Sequence, residues 1–358
     1  MVDIRVKKTA EILVDYSTEV KEGDKVLIVG DIAAKDLILE IYKLCLERGA
    51  YPKIKARLPG QNYIFYKYAK KHQLEHFPEE DYEEIKKTDV WFGIRAAENV
   101  KELMNVNPEK ISLHFKTMKP ILEWRVEKTR WVVFYYPTNA FAQEAGMSLE
   151  EFEDFVYNAT LIDWKEMSEK MSKIKKLVDK TDEVRIIGED TDLTFSVKGR
   201  NAVVADGKHN MPDGEVFTSV VEDSTNGYIY YEFPAIYYGN EVEGIRLKFK
   251  DGEVVEAKAS KNEKFLKKMI NTDEGAKRIG EFGIGLNYMI DRFVKNILFD
   301  EKIGGTIHLA LGRGYKETLS KNDSAIHWDM IKDLRRNGKI YFDGELVFEN
   351  GKWFILEE

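Results

Sequence analysis

The sequence predicts an α/β protein in which an open, mostly parallel α/β sheet domain is followed by a strand-rich α+β domain. Strands and helices alternate through the first half of the chain, whereas closely spaced hairpin turns dominate the second half. At 358 residues the chain is also long for a single hydrophobic core. We place the boundary where the pattern changes, which gives domains of residues 1–182 and 183–358.

The first half opens with the pattern of a βαβ unit. Residues 25–30 form a short apolar run, apolar residues recur at helical spacing through 34–45, and residues 51–58 alternate like a second strand. Two further apolar runs follow at 89–95 and 130–135. Because parallel strands are joined by crossover helices, this order predicts a parallel sheet with helices on both faces.

The turn after the first predicted strand argues against dinucleotide binding. Its sequence, Gly30-Asp31-Ile32-Ala33-Ala34, lacks the glycine-rich fingerprint that lets the backbone approach a pyrophosphate. We therefore interpret Asp31 as a helix N-cap rather than as a ribose ligand.

Later helices are predicted from caps and periodicity. Ser148, with Glu151 three residues on, has the pattern of a capping box. Residues 166–182 are rich in charge and predict an exposed connecting helix, and helical spacing returns at 262–271 and 328–336. Hairpin turns are predicted at Asp251-Gly252, Asp343-Gly344 and Asn350-Gly351, so that residues 339–356 form a three-stranded meander.

Composition limits the classes of function. The net charge of −8 and pI of about 5.6, without a basic stripe, argue against nucleic-acid binding. The single cysteine, Cys45, excludes an intrachain disulfide and a thiolate metal site. No signal-peptide pattern and no long apolar run is found, so we expect a cytoplasmic protein that does not enter membranes. Charged residues make up 33% of the chain, which is typical of heat-adapted proteins.

The segment between residues 308 and 329 carries the residue types of a metal site. It holds two of the six histidines, His308 and His327, together with Tyr315 and Asp329. His308 lies in a β-type run, and His327 and Asp329 are two apart, so on one strand they share a face. Imidazole and carboxylate donors converging from strands suit a zinc-type ion. A hydrogen-bonded core histidine is the alternative interpretation for His308 alone.

Two carboxylates elsewhere stand out by their context. Glu215 follows a Pro/Gly turn and enters an apolar β-type run, and Glu281 is surrounded by Gly280, Gly283 and Gly285. Glycines permit a close approach of the backbone, which favours a ligand role for the acid among them. Taken singly, each acid is more often a cap or a member of a surface ion pair. Residue types and spacing by themselves leave the metal site and these alternatives open.

Several ordered motifs show a resemblance that spans residues 13–354. They are Asn210-Met211-Pro212, Gly214-Glu215-Val216-Phe217-Thr218, Gly283-Ile284-Gly285-Leu286-Asn287, Asp300-Glu301-Lys302-Ile303-Gly304-Gly305-Thr306-Ile307-His308 and Ser324-Ala325-Ile326-His327-Trp328-Asp329, with Tyr136-Pro137-Thr138 and Ala142-Gln143-Glu144-Ala145-Gly146-Met147-Ser148 in the first half. With these motifs the chain resembles the thermophilic metalloaminopeptidase family, known from aminopeptidase T and aminopeptidase S.

The resemblance implies an enzyme that releases single amino acids from peptides with a free N-terminus, a homodimer, and two divalent ions of zinc, cobalt or magnesium. The implied metal ligands are Glu215, Glu281, His308, Tyr315, His327 and Asp329. Glu281 or Glu215 is the expected proton shuttle. Tyr315 is expected to coordinate through its phenolic oxygen, with a hydrogen bond to a ligand as the alternative. The loop between Tyr315 and His327, which includes Leu319-Ser320-Lys321-Asn322-Asp323, departs from relatives that often carry a glycine pair and a glutamate there.

Two other functions are compatible with such a site. A relative that binds metal or peptide without turnover would be expected to lose one or more ligands, whereas all six are present. A metal hydrolase acting on a phosphoester would usually recruit a cluster of basic residues, and near these motifs we find only Arg313.

Overall fold

The computed structural model describes residues 2–357. The helices are α1 Ile4–Glu11, α2 Lys35–Glu47, α3 Gln61–Tyr68, α4 Lys71–Leu74, α5 Glu79–Lys86, α6 Pro108–Lys128, α7 Asn139–Glu144, α8 Leu149–Thr160, α9 Trp164–Val178, α10 Glu263–Ile270 and α11 Ile297–Asp300. The strands are β1 Lys25–Asp31, β2 Tyr51–Arg57, β3 Val90–Arg95, β4 Arg130–Tyr135, β5 Glu183–Gly188, β6 Thr191–Ser196, β7 Val203–Ala205, β8 Asn210–Met211, β9 Glu215–Thr218, β10 Asn226–Tyr231, β11 Ala235–Tyr237, β12 Asn240–Val242, β13 Ile245–Lys250, β14 Glu253–Lys258, β15 Ile279–Gly285, β16 Thr306–Gly312, β17 His327–Asp333, β18 Lys339–Phe342, β19 Glu345–Glu349 and β20 Lys352–Trp353.

The chain forms two compact units. The first comprises residues up to Ile162 together with Gly207–Pro212, and the second comprises Asp163–Asp206 together with residues from Asp213 onward. The first unit thus ends 20 residues before the predicted boundary at 182, and a short segment returns to it later in the chain.

The first unit is built on a parallel sheet with the strand order β2-β1-β3-β4-β8. Helix α2 buries Leu37, Ile38, Ile41 and Leu44, which are the apolar positions that predicted it. The capping box at Ser148 also forms, with Ser148 and Glu151 exchanging two hydrogen bonds. The predicted parallel α/β sheet is confirmed.

The second unit is dominated by antiparallel strands. An eight-stranded sheet has the order β14-β13-β10-β6-β5-β18-β19-β20, and a five-stranded sheet has the order β17-β16-β15-β9-β7. Both sheets contribute to one apolar core, where the rings of Phe195 on β6 and Phe282 on β15 meet edge to face at 5.1 Å. The strand-rich second half is confirmed, and Asp343-Gly344 and Asn350-Gly351 turn the predicted meander.

Two local predictions were wrong, and a third held only in part. Residues 328–336 do not form a helix, because β17 continues to Asp333. The charge-rich helix is not an exposed connector, since α9 buries Met171 and Ile174 in the core of the second unit. Asp31 occupies the N-cap position of a short helical turn, but its side chain makes no capping hydrogen bond. Among residues 2–357, no helix is long and apolar enough to cross a membrane.

Candidate metal centre

One face of the five-stranded sheet collects acidic and imidazole side chains. Along β16, Ile307, Leu309 and Leu311 enter the core of the second unit, so His308 lies on the opposite face. The same alternation on β15 and β17 sends Phe282 and Trp328 inward. The neighbouring positions Glu281, His327 and Asp329 therefore share the face of His308.

The register of the strands leaves room for these side chains. Gly283 on β15 lies opposite His308 on β16, and Ala310 lies between Glu281 and Asp329 on its two neighbouring strands. A Cβ atom at Gly283 would come within 2.0 Å of the His308 ring. Small residues at these two positions thus let the larger donors converge above the sheet.

His308 is fully buried and is oriented through both ring nitrogens. Its Nδ1 lies 3.1 Å from the carbonyl oxygen of Glu301, which can only accept, so Nδ1 donates the hydrogen bond. Its Nε2 lies 3.3 Å from Glu281 Oε1 and 3.4 Å from Glu215 Oε2. A histidine held through Nδ1–H in this way directs Nε2 at a common point with two carboxylates, as metal-binding histidines do.

His327 repeats this arrangement one strand away. Its Nδ1 donates to the carbonyl oxygen of Arg313 at 2.6 Å, and its Nε2 lies 3.4 Å from Glu281 Oε2 and 3.5 Å from Asp329 Oδ1. Glu281 consequently directs one carboxylate oxygen toward each histidine. It is the residue that links the two halves of the cluster.

The buried carboxylates of the cluster have oxygen atoms whose hydrogen-bonding capacity the protein does not satisfy. Glu215 Oε2 and Glu281 Oε2 are buried and have no hydrogen-bond partner among the residues that the structure describes. Burial raises the pKa of both groups, against the opposing positive charges of Lys302 and His308. Since an unsatisfied buried carboxylate oxygen is costly, these atoms indicate a place for a cation.

The pKa values of the two histidines are also raised. Burial by itself lowers the pKa of His308 and His327, but the surrounding carboxylates outweigh it and raise both values to about 10. The pKa of Asp329 is lowered to about 2, because the two histidines outweigh its burial. Without metal the cluster therefore holds protons on its imidazoles. A metal ion would replace those protons with its own charge.

The donors fall into two groups that fit a metal ion each. One group is Glu215, Glu301 and His308, and the other is Glu281, His327 and Asp329; within each group the donor atoms lie within 4.8 Å of one another. Oxygen and imidazole nitrogen donors suit zinc and related divalent ions. The residues present therefore fit the metal that the sequence predicts.

Tyr315 lies at the edge of this cluster. Its ring centroid is 5.1 Å from that of His327 and 5.6 Å from that of Phe217, and 39% of the residue is exposed. Burial of the hydroxyl and the nearby charges of Glu281 and Asp329 raise the pKa of Tyr315. Five of the six predicted ligands thus converge directly, and Tyr315 packs beside one of them.

Three charged residues of the centre, Glu301, Lys302 and Asp213, were not predicted as functional. Glu301 belongs to the group around His308, and Lys302 is completely buried beside it. The Lys302 ammonium pairs with Glu301, with Glu215 at 3.3 Å and with Asp213 at 3.7 Å. Burial by itself lowers the pKa of Lys302, but these carboxylates raise it well above its ordinary value. The sequence signal for these residues is the charged run Asp300-Glu301-Lys302. It stands directly before Ile303-Gly304-Gly305 and the apolar strand β16.

Comparisons with known proteins agree with a metal-dependent site. The chain is 27% identical to Aminopeptidase 2 of Geobacillus stearothermophilus, and the match covers 97% of each chain. Its fold is similar to that of wild-type AmpT from Thermus thermophilus, with a TM-score of 0.85, 21% identity, and coverage of 98% of this chain and 99% of that one.

The fold also occurs in a protein that is named as a dioxygenase. The structure of 2,5-dihydroxypyridine dioxygenase from Pseudomonas putida KT2440 matches with a TM-score of 0.60 and 14% identity, covering 98% of this chain and 96% of that one. Fold alone therefore does not select a reaction. The sequence is more specific, because residues 2–353 match the family model described as thermophilic metalloprotease (M29). The chain belongs to the thermophilic metalloprotease family M29.

Proposed function

We propose that the protein is a metal-dependent aminopeptidase that removes single residues from the free N-terminus of peptides, using two divalent ions of zinc, cobalt or magnesium. Membership of a metalloprotease family supports the peptide bond as the target. Similarity to Aminopeptidase 2 over nearly the whole chain supports action at the N-terminus. The number of ions is inferred from the two groups of donors.

The observation that carries the proposal is the position of Glu281 between the two histidines. One oxygen lies 3.3 Å from His308 Nε2 and the other 3.4 Å from His327 Nε2, so Glu281 would contribute a donor beside each histidine when metal is held there. We assign the metal ligands as Glu215, Glu281, His308, Tyr315, His327 and Asp329, with Glu301 as an additional donor on the His308 side.

When bound, two divalent ions supply a water acidified at neutral pH and a Lewis acid for the scissile carbonyl. The protein must then carry a proton to the leaving nitrogen. Glu281 and Glu215 remain the candidates for this shuttle, and Glu301 joins them because its carboxylate lies in the same cluster. The glutamine variant of the shuttle should lose more turnover than its loss of metal content accounts for.

The electrostatics of the cluster favour the proposed substrate over a phosphoester. Its carboxylates can pair with the α-ammonium of a peptide as a cation. They can also take its proton, and the neutral amine would then be a ligand for a metal ion. Lys302, the lysine within the cluster, is already paired with Glu301, Glu215 and Asp213. It is therefore not free to bind a phosphate oxygen.

The test is hydrolysis of a panel of aminoacyl-p-nitroanilides by chelator-treated protein, with and without added Zn²⁺, Co²⁺ or Mg²⁺. We expect release that depends on metal, and its loss in His308→Ala and His327→Ala. His72→Ala, which changes a histidine on α4 of the first unit, is the matched control. Absence of metal-dependent release from every substrate would refute the proposal, and full activity in either site variant would refute the ligand assignment.

We further infer that the protein is a cytoplasmic homodimer. The dimer follows from the family resemblance, and a cytoplasmic location accords with a single cysteine, Cys45, that can form no intrachain disulfide. Light scattering after size-exclusion chromatography measures the dimer, and a mass of one chain, 41.6 kDa, would contradict it.

A further inference from the structure

A row of polar side chains ends the parallel strands of the first unit. Arg57 of β2 pairs in register with Asp31 of β1, and Arg95 of β3 pairs in register with Tyr135 of β4. Each is the last residue of its strand, and β1 and β3 are neighbours. Because parallel strands all run the same way, the four side chains meet at one edge of the sheet.

Three of the strand ends are tied together by Asp31. Its Oδ1 lies 2.9 Å from Arg57 Nε, and its Oδ2 accepts a hydrogen bond of 2.7 Å from the backbone N–H of Ala96. Arg57 also donates through Nη2 to the carbonyl oxygen of Ile94 at 3.1 Å. Asp31 and Arg57 are therefore held as a rigid pair.

Arg95 has no comparable partner. Among the residues that the structure describes, no carboxylate or carbonyl oxygen forms an ion pair or hydrogen bond with its guanidinium, although the residue is half-buried. A second guanidinium, that of Arg125, lies outside this row: it stacks on the rings of Trp91 and Trp131, the second residues of β3 and β4, and its Nε and Nη1 are buried without hydrogen-bond partners among the described residues. Burial and the charge of Arg95 lower the pKa of Arg125 to about 10. In this row the charge of Arg57 is paired with Asp31, whereas no described residue pairs with the charge of Arg95.

A cavity of about 720 Å³ opens over the row. Its polar lining includes Arg57, Arg95 and Tyr135, and its apolar lining includes Leu58, Val100, Leu103 and Phe141. Burial raises the pKa of Tyr135, so its hydroxyl remains protonated and able to donate. A volume of this size is that of a pocket for a small molecule.

The topology of the sheet makes this edge a preferred place for a ligand. The chain passes from β1 outward to β2 and then returns to the other side of β1 to form β3. Helices and loops leave a crevice outside the carboxyl ends of the strands where the order reverses in this way. The cavity lies at that point, between the ends of β1, β2 and β3.

We propose that this strand-end cavity binds the carboxylate of a small, partly apolar ligand, with Arg95 as the residue that pairs with it. The chemistry is that of a free amino acid or of the C-terminal residue of a peptide. A guanidinium without a partner offers the forked donors that a carboxylate accepts, and the apolar wall accommodates a side chain. A doubly charged phosphate fits less well, because Asp31, Glu98 and Glu102 also line the cavity and the turn after β1 is not glycine-rich.

The experiment is calorimetric titration of the full-length protein with N-acetyl-L-leucine and N-acetyl-L-leucinamide, each in metal-loaded and in chelator-treated protein, and with L-leucine and inorganic phosphate in chelator-treated protein. N-acetyl-L-leucine should bind and N-acetyl-L-leucinamide should not, because only the first carries a carboxylate; neither has the free amine of an aminopeptidase substrate. The result should be the same with and without metal, which separates this cavity from the metal centre. The stronger binder of L-leucine and N-acetyl-L-leucine identifies the source as a free amino acid or a peptide C-terminus.

Substitution locates the binding site. Arg95→Gln should weaken binding of N-acetyl-L-leucine about tenfold or more. Arg95→Lys, which keeps the charge but loses the fork, should weaken it less and covers the case in which the glutamine variant does not fold. Arg48→Gln, an exposed arginine of the same unit that is paired with Asp15, should bind like the parent. Equal binding of N-acetyl-L-leucinamide, tighter binding of phosphate, or unchanged binding by Arg95→Gln would overturn the proposal.

Discussion

Replacing Lys302 with methionine should destabilise the protein in a way that metal partly reverses. Lys302 is completely buried, and its ammonium is paired with Glu301, Glu215 and Asp213. Removing one partner of a buried ion pair costs about 3–5 kcal/mol, since charges are left without compensation. For a unit of this size, each kcal/mol lowers Tm by about 2–4 °C, so we expect a fall of about 6–20 °C in chelator-treated protein.

The dependence on metal is what tests the reasoning. Two divalent ions bring four positive charges to the same carboxylates, so the fall in Tm caused by Lys302→Met should be clearly smaller in protein saturated with Zn²⁺ or Co²⁺. Lys332 supplies the matched control, because it is also a completely buried lysine of the second unit but pairs with Glu232, away from the cluster. Lys332→Met should lower Tm by the same amount with and without metal.

The assay is thermal unfolding followed by circular dichroism, with parent and both variants measured in chelator and in excess metal. If Lys302→Met lowers Tm equally in the two conditions, Lys302 and the ions do not compensate the charge of the same carboxylates. The proposed location of the ions would then be refuted, even if the variant were strongly destabilised.

Three further predictions address the centre and the first unit. Gly283→Ala should lower metal affinity measured by competition with a chelator, because its Cβ would come within 2.0 Å of the His308 ring. Gly188→Ala, whose Cβ would meet its nearest atom at 3.1 Å, on Lys332 and away from the two histidines, should not. Metal at a hundred times its Kd should stabilise the parent by about 2.7 kcal/mol per site, seen as a higher Tm than in chelator, and an unchanged Tm would contradict binding to the folded state. Burial raises the pKa of Cys45 from 9.0 to about 12, so at pH 8 the thiol stays protonated and should react with a thiol reagent only after unfolding. Rapid labelling of the folded protein would show that this part of α2 opens.

Local pattern was sufficient to predict elements whose apolar residues form an uninterrupted series. Strand β1 and helix α2 show such series. Asp343-Gly344 and Asn350-Gly351 adopt the positive φ angles that a two-residue hairpin turn requires and that most other residues avoid. Helix α9 was misjudged because its buried Met171 and Ile174 are separated by charged residues that dominate the composition. Strand β17 was partly taken for a helix because Met330 and Ile331 are adjacent and both apolar, which breaks the alternation of a strand; both are buried in the structure.

The site was harder to predict, because its members come together only through strand order. Glu215 and His308 are far apart in sequence, and their convergence depends on β9, β15 and β16 lying side by side. The sequence proposed these residues through a family resemblance, since no local period connects them. Glu301 and Lys302 lie in the turn before β16, where neither helical nor strand spacing marks a residue as buried. Their roles become visible only when the distances to Glu215 are known.

The strand order also determines when the centre can exist during the life of the molecule. Its donors span the chain from β9 to β17, and Asp329 on β17 is the last of them to be synthesised. The second group of donors therefore cannot form until β17 has been synthesised and has paired with β16.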